Sequence, residues 1–409
     1  MSNPQARTGS GSRPSLAVVV PELLPVPATQ GGAVEYWVEE FIRRVDRELF
    51  DIRVVSRPSG KGEFAPARLV EIPWTPCERF FRKIKQALSW SNPLRALAKI
   101  QNVWSYGRRA AKAVADARVV YIHNEPNILL LLGPKRGRRI VLHMHNDHLS
   151  IPAFRFGYSL ALSKADQVVF ASHYLMDRAS EAFPKHANRF VVVHNATDST
   201  VFRPYGKVAS HELADLVGHL PDDTELVLYV GRLVPQKGVD VLIEAFRLLL
   251  QTRPKAKLVV TGSSFFENGP KTEFVRNLVE QARSIQDSIL FMGFLPHNRV
   301  KYLYSLADVV VFPSVWQEPF GLVAIEAMAS GSCVVASSVG GVPEVIEDNR
   351  TGFLVPPGDV VRLAAKISEC LADPARSRRI GLAAREAVIR RFSWDELVGK
   401  VQKIIEVVH

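Results

Sequence analysis

A chain of 409 residues is long for one core and points to two domains. Its composition, 47% hydrophobic and 23% charged, is ordinary for a soluble globular enzyme. Three scattered cysteines (Cys77, Cys333 and Cys370) exclude a disulfide framework and fit a reducing compartment, and no run approaches the ~20 apolar residues of a membrane span. The net charge of +11 lies entirely in the first half: residues 1–200 hold 28 Lys and Arg against 17 Asp and Glu, whereas 201–409 hold 24 of each. That excess points to an acidic partner or a negatively charged surface there.

Residues 1–15, rich in Ser, Gly, Pro and Arg, read as a disordered tail without a signal-peptide core. Strand and helix signals then alternate. A strand is expected at 16–20, then a loop with Gly31-Gly32, then a helix over 33–45. Paired glycines let a backbone approach a ligand at a helix N-terminus, although a plain turn is as good a reading of the pair alone. Further strands are expected at 52–55 and 69–72. The stretch 78–90 interleaves Phe80, Phe81, Ile84, Leu88 and Trp90 with Arg79, Arg82, Lys83 and Lys85. The reading favoured is a surface helix with its apolar face inward, and the competing one is a helix lying on an anionic membrane.

Residues 119–123 and 140–145 read as central parallel strands ending in polar side chains, with a ligand crevice beyond their carboxyl ends. His143, His145, Asp147 and His148 match H-x-H-x-D-H, which resembles the metal signature of the metallo-β-lactamase superfamily. No αββα context surrounds them, so a strand-end reading fits better. Strands at 166–172 and 190–194 complete the first sheet. Asn195 and Asp198 are explained by turn chemistry at least as well as by ligand contact.

The second half opens with a strand ending at Gly231, followed by Arg232 and Lys237, a fork of donors and a point charge suited to a diphosphate. Strands follow at 257–262 and 289–293, the latter leading to Phe294. The run 307–313 is a short β-branched strand closed by proline. Glu318 then lies in a loop, and Pro319 suits the first turn of a helix whose body is 320–329. Its N-terminus at Phe320, Gly321 and Leu322 favours a phosphate. Glu326 follows Glu318 by eight residues.

Glu318 and Glu326 in the run EPFGLVAIEAMASG resemble the E-x7-E signature of retaining glycosyltransferases of family 4 with the GT-B fold. The Gly231-Arg232…Lys237-Gly238 segment is similar to that family's diphosphate clamp. The resemblance covers residues 16–409, densest from 226 to 359. It implies an α/β chain of two doubly wound Rossmann-like domains facing across a cleft. The expected boundaries are 16–204, with 390–409 crossing back onto it, and 205–389. It implies transfer of a sugar from a UDP- or GDP-linked donor to a hydroxyl acceptor with retained configuration. Catalytic roles fall to His145, Arg232, Lys237 and Glu318; donor contacts fall to Gly31, Gly32, Gly231, Phe294, Phe320, Gly321, Leu322 and Glu326.

No metal or other cofactor is implied. The acceptor would be a glycan, a lipid-linked species or a small molecule in cell-surface polysaccharide, glycolipid or metabolite glycosylation. An anionic inner-membrane surface is a candidate partner, nucleic acid is not, and the expected location is cytoplasmic. Competing readings are a nucleotide-sugar epimerase, a zinc hydrolase built on the histidine cluster, and a non-catalytic nucleotide-sugar binding protein.

Overall fold

A computed structural model describes residues 13–29, 32–60, 64–87, 93–213, 223–263 and 272–406. Two parallel sheets run through them. The first contains β1 (Ser15–Val19), β2 (Asp51–Ser56), β3 (Arg68–Glu71), β4 (Val119–His123), β5 (Arg139–Met144), β6 (Gln167–Phe170) and β7 (Phe190–Val192), in the order β3-β2-β1-β4-β5-β6-β7. The second contains β8 (Glu225–Val230), β9 (Ala256–Thr261), β10 (Ile289–Gly293), β11 (Val309–Phe312), β12 (Cys333–Ser337) and β13 (Phe353–Val355), in the order β10-β9-β8-β11-β12-β13. Strand order reverses between β1 and β4 and again between β8 and β11. Each reversal is the switch point at which doubly wound sheets bind ligands, beyond the carboxyl ends of the strands.

The strands of the second sheet are apolar on both faces because both faces are covered. Val227 and Tyr229 of β8, Val309 and Val311 of β11, and Cys333 and Val335 of β12 enter one core. Their immediate neighbours Leu226, Leu228, Val310, Phe312, Val334 and Ala336 enter another. A period of two, read along three adjacent strands, thus feeds two separate apolar layers. The helix Val239–Leu250 closes the first through Leu242, Ile243 and Phe246, and the helix Leu322–Ala329 closes the second through Ile325 and Met328.

The chain divides into two compact units: 1–143, 151–168 and 402–409 form one, and 144–150 with 169–401 form the other. The boundary expected at 204/205 therefore differs from the contact division, in which 169–204 join the second unit. The last residues group with the first unit, where Arg139 Nε donates to the Ile404 carbonyl at 3.0 Å.

The 78–90 stretch forms the helix Pro76–Ala87, while Leu88 and Trp90 lie outside the described residues. The inward apolar face is only partial: Phe81 and Ile84 are half-buried, and Phe80 is 60% exposed. What the helix does bury is Glu78. Its carboxylate accepts from the buried Arg57 at 3.2 Å and from Arg109 at 2.6 Å, and from Thr75 N–H at 2.8 Å. Burial alone would raise this carboxyl, but those hydrogen bonds and the Arg57 charge hold it below the usual range. Arg57 also donates to the Glu22 and Ile72 carbonyls and lies 3.7 Å above the Trp74 ring. The sequence shows a cationic face, and nothing in its periodicity reveals that the one acid in that face is the residue turned inward. No helix among the described residues is long and apolar enough to cross a membrane.

Candidate active site

The second switch point assembles from two loops. After β8, the chain passes Gly231 and a short turn, Pro235–Lys237, before Gly238 opens the helix Val239–Leu250. After β11, Ser314 and Val315 reach back to this loop, donating to the Gln236 carbonyl at 3.3 and 3.0 Å. These contacts bring Lys237 Nζ to 2.5 Å from Glu318 Oε1, which also accepts from the Ser314 hydroxyl. Glu318 is 4% exposed. A buried carboxylate needs a cation and donors in this way, because an unpaired charge at such depth costs several kcal/mol. Burial lowers the Lys237 ammonium, Glu318 counters that shift, and the nearby Arg232 charge lowers it further. Arg232 is itself exposed.

Gly340-Gly341 clasp the Glu318 backbone. Gly341 N–H donates to the Glu318 carbonyl at 2.8 Å, and Gly340 N–H to the Gln317 side chain at 2.8 Å. Gly340 has φ +52°, and a Cβ there would collide with the Glu318 carbonyl oxygen.

The following helix begins two residues later than expected, at Leu322 rather than Phe320. Gly321 adopts φ +119°, a conformation that L side chains rarely take, and this breaks the helical run expected from Pro319. The Phe320 ring is buried, 5.7 Å from both the His194 and Phe392 rings, so the side chain anchors the loop. Glu326 lies in the second turn, where its carboxylate accepts from the Tyr304 hydroxyl at 3.0 Å. Burial raises its pKa, partly offset by His297 and by that hydrogen bond.

His145, just past β5, is 8% exposed. Burial drives its pKa down to about 3 against a weaker opposing hydrogen bond with Asn195, so the ring is neutral at physiological pH. The sequence left Asn195 and Asp198 open between turn chemistry and ligand contact; Asp198 is a turn residue, accepting from Thr200 N–H at 2.9 Å. Phe294 is 42% exposed and follows Gly293, whose carbonyl accepts from Gly262 N–H at 2.7 Å.

At the first switch point Gly31 lies outside the described residues, and Gly32 takes φ +105° ahead of the helix Ala33–Arg44. Sequence reasoning set no role on Glu35, which is 4% exposed and pushed up to about 7 by burial, with a smaller contribution from Glu22. The H-x-H-x-D-H array does not form one donor set. Asp147 pairs with Arg178 at 2.7 Å, and among the described residues neither Asp147 nor His148 joins a group of ligand atoms within 4.8 Å.

Residues 216–387 match the family model for glycosyl transferases group 1. A lipopolysaccharide 1,2-N-acetylglucosaminetransferase of Salmonella typhimurium is 24% identical over 388 residues, covering 94% of this chain and 96% of its own. An alpha-maltose-1-phosphate synthase of Mycolicibacterium smegmatis is 35% identical over 254 residues, 60% of this chain and 64% of its own. The crystal structure of HepE from Anabaena in complex with UDP and glucose superposes with a TM-score of 0.69 at 21% identity, covering 95% of this chain and 98% of that one. Two parallel doubly wound α/β sheets and the likeness to the HepE structure define the fold as GT-B. The match to the group 1 glycosyl transferase model, residues 216–387, falls within the second unit.

Proposed function

We propose that the protein transfers a sugar from a nucleoside-diphosphate donor to an acceptor hydroxyl with retention of configuration. The observation that carries this reading is the buried Lys237–Glu318 pair at 2.5 Å, set at the carboxyl ends of β8 and β11 and ahead of the helix Leu322–Ala329. An ammonium has three donors, so Lys237 can keep Glu318 and still meet a phosphate oxygen. Arg232 supplies a second cation on the exposed side. In this reading the bond between the anomeric carbon and the diphosphate breaks, and negative charge grows on the leaving phosphate. Lys237, Arg232 and the amides at 321–322 stabilise that charge without rearranging. The acceptor oxygen forms the new bond, and its proton passes to the departing phosphate.

Glu318 holds donor hydroxyls, Glu326 the ribose and the backbone near Phe294 the base, while neutral His145 offers a hydrogen bond to the transferred sugar. Gly231 gives backbone access at the end of β8, and Gly32 at the start of the helix Ala33–Arg44. HepE with bound UDP and glucose supports a UDP-type donor, and the lipopolysaccharide enzyme supports a cell-surface glycan acceptor. Melting the purified protein with UDP, GDP or ADP, each with and without EDTA, tests the donor. A site filled a hundredfold above Kd stabilises the fold by about 2.7 kcal/mol, visible as a raised Tm with one diphosphate. No shift with any of the three would sink the reading.

A further inference from the structure

We propose that His173, His194 and Glu344 form a binding site for a zinc-type transition-metal ion. His173 opens the helix His173–Ala182, His194 follows β7, and Glu344 lies in the short helix Val342–Val345. All three belong to the second unit, and one ligand atom of each lies within 4.8 Å of the others.

The geometry is close to what a metal requires. The two imidazole centroids are 5.7 Å apart. With a Zn–N bond of ~2.0–2.1 Å, two imidazoles on one tetrahedral ion place their centroids about 5 Å apart. The difference is under an ångström, and His173 is exposed and able to make it. His194 Nε2 already lies 3.0 Å from Glu344 Oε2, and the ion would take the place of the proton they share. The carboxylate is oriented in advance: His173 N–H donates to Oε2 at 2.8 Å and Tyr174 N–H to Oε1 at 2.7 Å. Outer hydrogen bonds of this kind fix a ligating carboxylate. The His194 ring is fixed between Phe320 and Phe392, at 5.7 and 5.6 Å.

Two imidazoles and one carboxylate suit zinc, cobalt or nickel rather than magnesium or calcium. The fourth position opens on the exposed His173 side, where water would complete the shell. The cluster also brackets the 319–320 segment, because Ser172 Oγ donates to the Pro319 carbonyl at 2.6 Å and His194 stacks on Phe320. Occupancy would therefore stiffen that loop. An effect on transfer rests on the function proposed above; metal binding does not.

The test uses the tag-free full chain, stripped with chelator and titrated with Co2+, followed by Zn2+ competition. One equivalent should bind with visible d–d absorption, zinc should displace it, and excess Mg2+ should not. His173→Ala removes an exposed ligand outside the proposed donor contacts. It should keep the wild-type melting temperature and lose at least tenfold in cobalt affinity; His194→Gln should lose as much. Absence of stoichiometric Co2+ or Zn2+ binding by the wild type would overturn the proposal. So would a full equivalent retained at wild-type affinity by His173→Ala.

Discussion

Lys237 and Glu318 are worth more as a pair than either is alone, because each would otherwise be a charge shielded from water. Removing Lys237 leaves Glu318 buried without its cation, and breaking a buried pair typically costs about 3–5 kcal/mol. Lys237→Ala should therefore lower the melting temperature by several degrees, and nucleoside diphosphate release should fall at least a hundredfold. Lys237→Met combined with Glu318→Gln should recover much of the stability and none of the turnover. Recovery of both would separate the pair from the chemistry.

Glu35 provides a second residue-scale test, through pH. Its folded pKa of about 7 stands above the ordinary carboxyl value of 4.5. The native state thus holds the proton more tightly than the unfolded chain between those values. Stability falls as pH rises through that window and levels off above it. Glu35→Gln abolishes the titration, so the variant should gain on the wild type from pH 4.5 to 7, by up to about 3 kcal/mol. Parallel stability curves for the two proteins would refute the assignment.

The turns around Glu318 decide more than the helix that follows them. At Gly340 a Cβ meets the Glu318 carbonyl, at a backbone angle that L residues avoid. Gly340→Ala should cost roughly 1–3 kcal/mol in denaturant unfolding and weaken nucleoside diphosphate affinity together with stability. A variant with wild-type affinity would show that the clasp does not set the Glu318 loop.

Strands were the most legible elements: 119–123 was read to the residue, because β-branched apolar runs bounded by polar ends have few alternatives. The start of the helix after Glu318 was misread, since proline favours a first turn whereas the left-handed Gly321 postpones it. Lys237 and Glu318 were each legible from their motifs. Their direct contact was not, because 81 residues separate them and only the fold joins them. Glu78 was missed for the same reason, its partner Arg57 lying on another segment, and the hydrogen bond between Asn195 and His145 is likewise set by the fold alone.

On the scale of the whole molecule, the second sheet is a partition. Val310 and Val311 are consecutive residues with no shared apolar layer, whereas Val309 and Val311 share one. Sequence neighbours should therefore behave as thermodynamic strangers, and residues two apart as partners. In double-mutant cycles, Val310→Ala with Val311→Ala should be additive within about 0.5 kcal/mol. Val309→Ala with Val311→Ala should show the larger coupling, because the first cavity lets the surrounding side chains relax before the second is made. Equal coupling in both cycles would mean that the backbone transmits the damage across the sheet. If the partition holds, drift on one face of the sheet can proceed without penalty from the other, and the two layers can change sequence on separate clocks.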